Sequence, residues 1–143
     1  MTSHHDSFKK RLAAALSADA GLTALLSSAS AIYYRRPPAS VAYPALLFHY
    51  DTEYPRQPAP AGARALRLVI EAAGPDPEAL DRIEEALRAL LDASHDTLST
   101  ASWRCARLRL LKSEQSSLGQ RDPATAGPLL VTATHWDVLL LAR

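Results

Sequence analysis

Residues 63–91 read ARALRLVIEAAGPDPEALDRIEEALRALL, and within them the spacing of apolar residues changes from two to between three and four. From Ala63 to Ala73 the side chains alternate, with Leu66, Leu68 and Ile70 against Arg67, Val69 and Glu71. Successive residues of a strand point to opposite faces, so this is a strand with one face in a core. Gly74-Pro75 ends it, because proline has no amide to donate to a ladder. Asp76-Pro77-Glu78 then starts a helix. The aspartate accepts from free amides of the first turn, the fixed φ of proline suits its first position, and Glu78 faces the positive end of the helix dipole. Leu80, Ile83, Leu87, Leu90 and Leu91 form one apolar stripe that runs to about Ser94. Glu78 with Arg82 and Glu84 with Arg88 are i, i+4 pairs of favourable order on the other side. A strand and a helix that each have one apolar side predict a shared core of Leu66, Leu68, Ile70, Leu80, Ile83, Leu87 and Leu90.

Toward the N-terminus, Phe8, Leu12, Ala15 and Leu16 fall at helical spacing between Asp6 and Asp19. A second short helix reaches about Ser28 with Leu22, Leu25 and Leu26, and Ala20-Gly21 is the expected break between the two. Ala31 to Tyr34 reads as a short strand stopped by Arg35-Arg36-Pro37-Pro38. Pro44 to Tyr54 reads as a longer strand with both faces partly covered. The run from Tyr54 to Gly62 holds three prolines and a glycine and is expected to be a flexible loop.

Toward the C-terminus, Trp103 to Lys112 and Pro128 to Leu141 are two more strands. Simple alternation in the first of them puts Arg107 and Arg109 on one face and Arg104 and Lys112 on the other. Ser113 to Gly127 is polar, without periodicity, and is expected to be a second flexible loop. One helix among five strands, after two helices at the start, predicts an α+β fold: a mostly antiparallel β-sheet packed against helices. At 143 residues the chain is expected to form one domain over 1–143.

Sixteen basic against fifteen acidic residues leave a formal charge of +1, which argues against a broad basic surface for nucleic acid. Cys105 is the single cysteine, so neither a disulfide framework within the chain nor a multi-cysteine zinc site is available. No run approaches the ~20 apolar residues of a membrane-spanning helix. The polar start with His4, His5 and Asp6 lacks the apolar run of a secretory leader, and synthesis in a cytoplasm is expected. His49, His95 and His135 show no metal-ligand spacing. Cys105 in a strand is expected in the core rather than as a nucleophile, although Arg104 and Arg107 flank it. No Gly-x-Ser-x-Gly elbow or glycine-rich phosphate loop occurs, so no catalytic residue, cofactor or metal is expected. The remaining electrostatic feature is the group Arg104, Arg107, Arg109 and Lys112, with Arg35 and Arg36 as further members. It reads either as a solvated, salt-bridged face or as a nucleic-acid contact.

The segment from Phe8 to Leu26 (FKKRLAAALSADAGLTALL), Ala31-Ile-Tyr-Tyr34, Pro37-Pro38 and Ala42-Tyr-Pro-Ala-Leu46 together resemble the tail completion, or tail terminator, proteins of tailed bacteriophages and gene transfer agents. The strand Leu66 to Ile70, the helix Glu78 to Leu91 and the final strand pair extend that resemblance over nearly all of the chain. It implies a non-enzymatic structural protein of the virion tail or neck, assembled in the bacterial host cytoplasm. Such a protein forms a homo-hexameric ring at the head-proximal end of the tail tube, ends tube polymerisation and meets the head–tail connector or stopper. DNA is then only cargo passing through the ring. A head-closure or adaptor protein of the same neck, or a small nucleic-acid-binding accessory domain, are the alternatives. The residues expected at contacts are Arg35, Arg36, Tyr54, Arg56, Arg104, Arg107, Arg109, Lys112, Glu114, Arg121 and Asp122. Two departures from the family pattern, Ser27-Ser-Ala-Ser30 after the second helix and the proline-rich run after Tyr54, affect loop contacts rather than the fold.

Overall fold

The computed structural model describes residues 4–53, 62–93 and 95–143. Its elements run α1 (His4–Ala18), α2 (Ala20–Thr23), β1 (Ile32–Tyr34), β2 (Ala45–Glu53), β3 (Ala63–Gly74) and α3 (Pro77–Ala93). A 3-10 turn (His95–Leu98), β4 (Trp103–Arg121) and β5 (Pro128–Ala142) complete the chain. Five strands form one sheet in the order β1-β2-β3-β5-β4. Only β1 and β2 are parallel, and the other three pairings are antiparallel. The expected α+β fold with a mostly antiparallel sheet is therefore the observed one.

Local chemistry sets the element ends. The Asp19 carboxylate accepts from the amides of Gly21 and Leu22 at 3.0 and 3.3 Å, so the α1–α2 break falls at this cap, one residue before the expected Ala20-Gly21. Asp76 accepts from the Glu78 amide at 3.1 Å and opens α3 as expected. The segment Tyr54 to Gly62, expected as a loop, lies outside the described residues up to position 61.

The helices share one face of the sheet. Phe8, Leu12 and Leu16 of α1, Leu22 of α2, and Leu80, Ile83, Leu87 and Leu91 of α3 are buried in one cluster with Leu46, Phe48, Leu66, Leu68, Ile70, Trp136, Val138 and Leu140 of the strands. The predicted core is thus present, with Leu90 at its margin and Leu91 inside it. Rings of Phe8, Tyr34, Phe48 and Tyr50 meet at tilted and edge-on angles with centroid distances of 5.3 to 6.2 Å and tie α1 to β1 and β2. The polar centre of this core is satisfied: Thr134 Oγ1 donates to the Ile70 carbonyl and accepts from Trp136 Nε1, each at 2.9 Å.

The C-terminal third departs from expectation. Residues 113–121, expected as a flexible loop, continue β4, and Ser113 to Ser117 pair with Thr134 to Leu130 of β5. The alternation is missing because β4 is an edge strand there and both its faces meet solvent, so neither demands an apolar residue. The β4–β5 ladder supplies the order that side-chain burial does not. Only residues 122–127 form the turn, closed by Asp122 N donating to Gly127 O and Ala126 N donating to Asp122 O, both at 2.8 Å.

Candidate functional site

Opposite the helices, the sheet has a second face with no helix against it among the described residues. Ala63, Ala65, Val69, Ala73, Leu129 and Val131 are buried there yet belong to no part of the helix-covered core. Short apolar side chains form a floor, and the long polar side chains of neighbouring strands shield it.

The strand β4 runs along one edge of this face, and its pairing shifts register at three places, two of them within the basic stretch. Cys105 and Arg107 pair with Leu140 and Leu139, which leaves Ala106 unmatched. Leu110 and Lys112 pair with Trp136 and His135, which leaves Leu111 unmatched. Each extra residue resets the alternation, so a side chain that strict period two would send to the core emerges on the open face. The expected division of the basic residues is therefore corrected. Arg104, Arg107, Arg109 and Lys112 oppose Leu141, Leu139, Asp137 and His135 and all lie on the open face, while Cys105, Leu108 and Leu110 lie on the core face. Cys105 is fully buried, as its core reading required.

Asp137 sits under this stripe with no exposed surface. Its Oδ2 is 3.0 Å from Arg107 Nε and 3.4 Å from Arg109 Nη2, and Arg67 of β3 faces it on the other side of the ladder. A carboxylate taken out of water needs such partners, and two guanidinium groups on one strand supply them. One row further along the sheet, Val69, His135 and Lys112 align, and the next row holds Glu71, Ala133 and Glu114. Glu114 Oε1 lies 3.1 Å from His135 Nε2 and 3.5 Å from Lys112 Nζ, and Glu71 lies 3.6 Å from His49 Nδ1. Along the strands the open face thus passes from basic, at Arg104 to Arg109, through histidine to acidic at Glu71 and Glu114.

The other expected contact residues are scattered. Arg35 and Arg36 follow β1, at the opposite edge of the sheet from β4, about four strand spacings or ~19 Å away. They do not join the stripe. Arg35 has φ 70°, donates its amide to the Phe48 carbonyl at 2.9 Å, and lies 5.3 Å from the Tyr34 ring centroid; Lys9 lies 4.6 Å from the same ring. Tyr54 and Arg56 lie outside the described residues. Arg121 donates to the Ala126 carbonyl. Asp122, expected at a surface contact, is buried, because its carboxylate accepts from the Ala124 amide and the Thr125 hydroxyl and holds the turn. Leu111 and Leu118, the two large apolar residues of the described chain that stand exposed, escaped the sequence reading. Leu111 is the bulged residue, and no period identifies it. Leu118 lies in the segment taken for a loop.

His49 and His135 face the same side but flank Val69, two strand spacings or ~10 Å apart, too far for one ion. Among the described residues no three His, Cys, Asp or Glu side chains are grouped to hold a metal. The side chains of His4, His5 and His95 lie outside the description. No described helix is long and apolar enough to cross a membrane.

A family model described as Tail completion protein gp17 matches residues 10–126. Among solved structures, 22 chains match significantly. One belongs to the virion of a native gene transfer agent particle. It is 18% identical, has a TM-score of 0.62, and the alignment covers 97% of this chain and 95% of that one. That likeness establishes a common fold. No curated protein matches the chain significantly. The family match spans most of the chain, which accordingly belongs to the tail completion protein gp17 family and is a structural protein of phage tails.

Proposed function

We propose that this member of the tail completion family closes into a ring, six-fold by resemblance to tail terminators, at the head-proximal end of the tail tube. There it ends tube polymerisation and joins the tail to the head connector. The observation that carries this reading is the inequality of the two sheet faces. One is finished by three helices, whereas the other has a floor of short apolar residues covered by a stripe of polar and cationic side chains, with no helix packed upon it among the described residues. A sheet face of that composition is suited to a partner. Two different surfaces on one subunit, placed on opposite sides, are what a head-to-tail ring requires, and the ring closes when the rotation between neighbours divides the circle. The tail tube protein, the head connector and copies of the chain itself are the partners. DNA passes through the ring as cargo.

A role as a nucleic-acid accessory draws on one feature, the four cations now on one face. Two of them are engaged by Asp137 and a third lies against Glu114, so the stripe offers phosphate fewer charges than its length suggests. Electron microscopy of tails decides the matter. With the protein, each tail carries one ring at its head-proximal end; without it, tails have irregular lengths and do not join heads. Tails of normal length that join heads normally in its absence would refute the terminator role. DNA binding that weakens steeply with salt would favour the accessory reading.

A further inference from the structure

The helix layer presents an acidic line that matches the basic stripe on the other side of the subunit. On α3 the exposed residues Glu78, Asp81, Glu85 and Asp92 recur at intervals of three, four and seven, so they stand on one side of the helix, the side turned away from the buried Leu80, Ile83, Leu87 and Leu91. Arg82 and Arg88 also stand exposed on α3, at 3.8 and 3.7 Å from Glu78 and Glu84 of the same helix, and an acidic excess remains. From Glu78 to Asp92 the line is 14 residues, or ~21 Å at the rise of an α-helix. From Arg104 to Lys112 the basic stripe spans six residues of the paired strand β5, or ~20 Å. Both run along rigid elements, carry opposite charge and lie on opposite sides of one sheet.

We infer that the open sheet face of one copy receives the outer side of α3 from the next copy, with Arg104 and Lys112, at the two ends of the stripe, set against Glu78 and Asp92 at the two ends of the acidic line. The inference rests on the ring reading and supplies its contact. The occupant is a second copy because the complementary surface is present on the same chain, of the same length and opposite sign. The two surfaces cannot meet within one subunit, since the sheet and its core separate them. A single contact of this kind therefore repeats head to tail rather than forming a closed pair. Such a strip, ~20 Å long and about one helix or ~10 Å wide, is small beside the ~800 Å² per partner of a standing complex. The contact accordingly forms where the tail tube holds copies side by side, and the assembled particle is the place to test it.

Four forms of the full chain are compared in particles: wild type, Arg104→Glu with Lys112→Glu, Glu78→Lys with Asp92→Lys, and all four substitutions together. Each reversed pair is expected to lower incorporation into tails at least about tenfold, and the quadruple variant to recover most of it, because charges facing across a contact are coupled. Unchanged thermal unfolding midpoints of the purified variants separate loss of contact from loss of fold. In parallel, particles carrying Lys112→Cys with Glu78→Cys, and particles carrying Lys112→Cys with Asp92→Cys, are oxidised; the native Cys105 is buried and remains in place. A ladder of species beyond the dimer is expected from one of the two pairs, whichever end of α3 meets Lys112, and none from any single cysteine. The inference fails if wild-type tails carry a ring but the quadruple variant does not recover and the ladder is absent. Dimers from a single cysteine would also overturn it, because they report a two-fold contact. Wild-type tails without any ring would instead defeat the ring reading itself.

Discussion

Trp136 and Asp137 are adjacent in the chain, both have no exposed surface, and they are buried by opposite means. Trp136 points into the helix-covered core, where Leu, Ile and Phe side chains surround it and Thr134 satisfies its indole N–H. Asp137 points to the open face, where arginine side chains cover it and hold its charge. The first kind of burial is a folding event, in which apolar area leaves water once and the packing is complete. The second leaves the surface above it polar, charged and ready for another molecule. One strand of alternating period serves both purposes because its neighbours send helices to one side and guanidinium groups to the other.

The largest effects should come from the finished face. Trp136→Ala is expected to cost about 3–5 kcal/mol and Leu87→Ala about 2–5 kcal/mol, the range for large side chains removed from a packed core. Urea unfolding followed by circular dichroism measures both. An unchanged midpoint for either would mean that the helix-covered core is not the source of stability that its packing implies. Next comes Thr134→Val, which keeps the volume but leaves the buried indole N–H and the Ile70 carbonyl without their partner. About 1–3 kcal/mol is expected, the cost of unsatisfied buried groups. A neutral outcome would show that the core has room for water beside Trp136.

Asp137→Asn is the corresponding test on the open face. Removing one member of a buried ion pair can cost several kcal/mol, but here the two arginines are 36% and 58% exposed and regain water when the charge is lost. About 1–2 kcal/mol is therefore expected, less than for Trp136, together with a weaker hold on the orientation of Arg107 and Arg109. A loss as large as that of Trp136→Ala would remove the distinction between the two faces.

What was legible in the residues divides along the same line. Leu66, Leu68, Ile70, Leu80, Ile83 and Leu87 announced their strand and helix because burial on one side imposes a period, and the period survives in the sequence. Capping by Asp76 was equally plain. The open face obeys no such rule. Its four cations were assigned to two faces because a bulge adds a residue without changing composition, and nothing in ARLRLLKS marks Ala106 or Leu111 as the extra one. Residues 113–121 looked like a loop because an edge strand exposed on both sides has no reason to alternate. Asp122 looked like a surface charge because the turn that buries it is fixed by its own hydrogen bonds. Where order comes from backbone pairing rather than from burial, the residue types carry little trace of it.

The smallest expected effect on stability is the most informative about function. Arg104→Ala and Lys112→Ala remove exposed side chains from the rim of the open face, where Lys112 makes a solvent-exposed pair with Glu114 and Asp137 keeps its contacts with Arg107 and Arg109. Surface substitutions of this kind usually change stability by no more than about 0.5 kcal/mol, and exposed ion pairs contribute little to a fold. The double variant should therefore unfold at the wild-type midpoint and give the wild-type circular dichroism spectrum. A subunit that folds normally but no longer enters tails would place the role of these cations in assembly alone. A midpoint lowered as far as that of Asp137→Asn would instead make the whole stripe part of the fold, a charged lid over Asp137 rather than a surface held open for a partner. Thermal unfolding of the purified double variant, read beside its incorporation into tails, separates these two accounts. The first predicts that the two measurements diverge; the second predicts that they fall together.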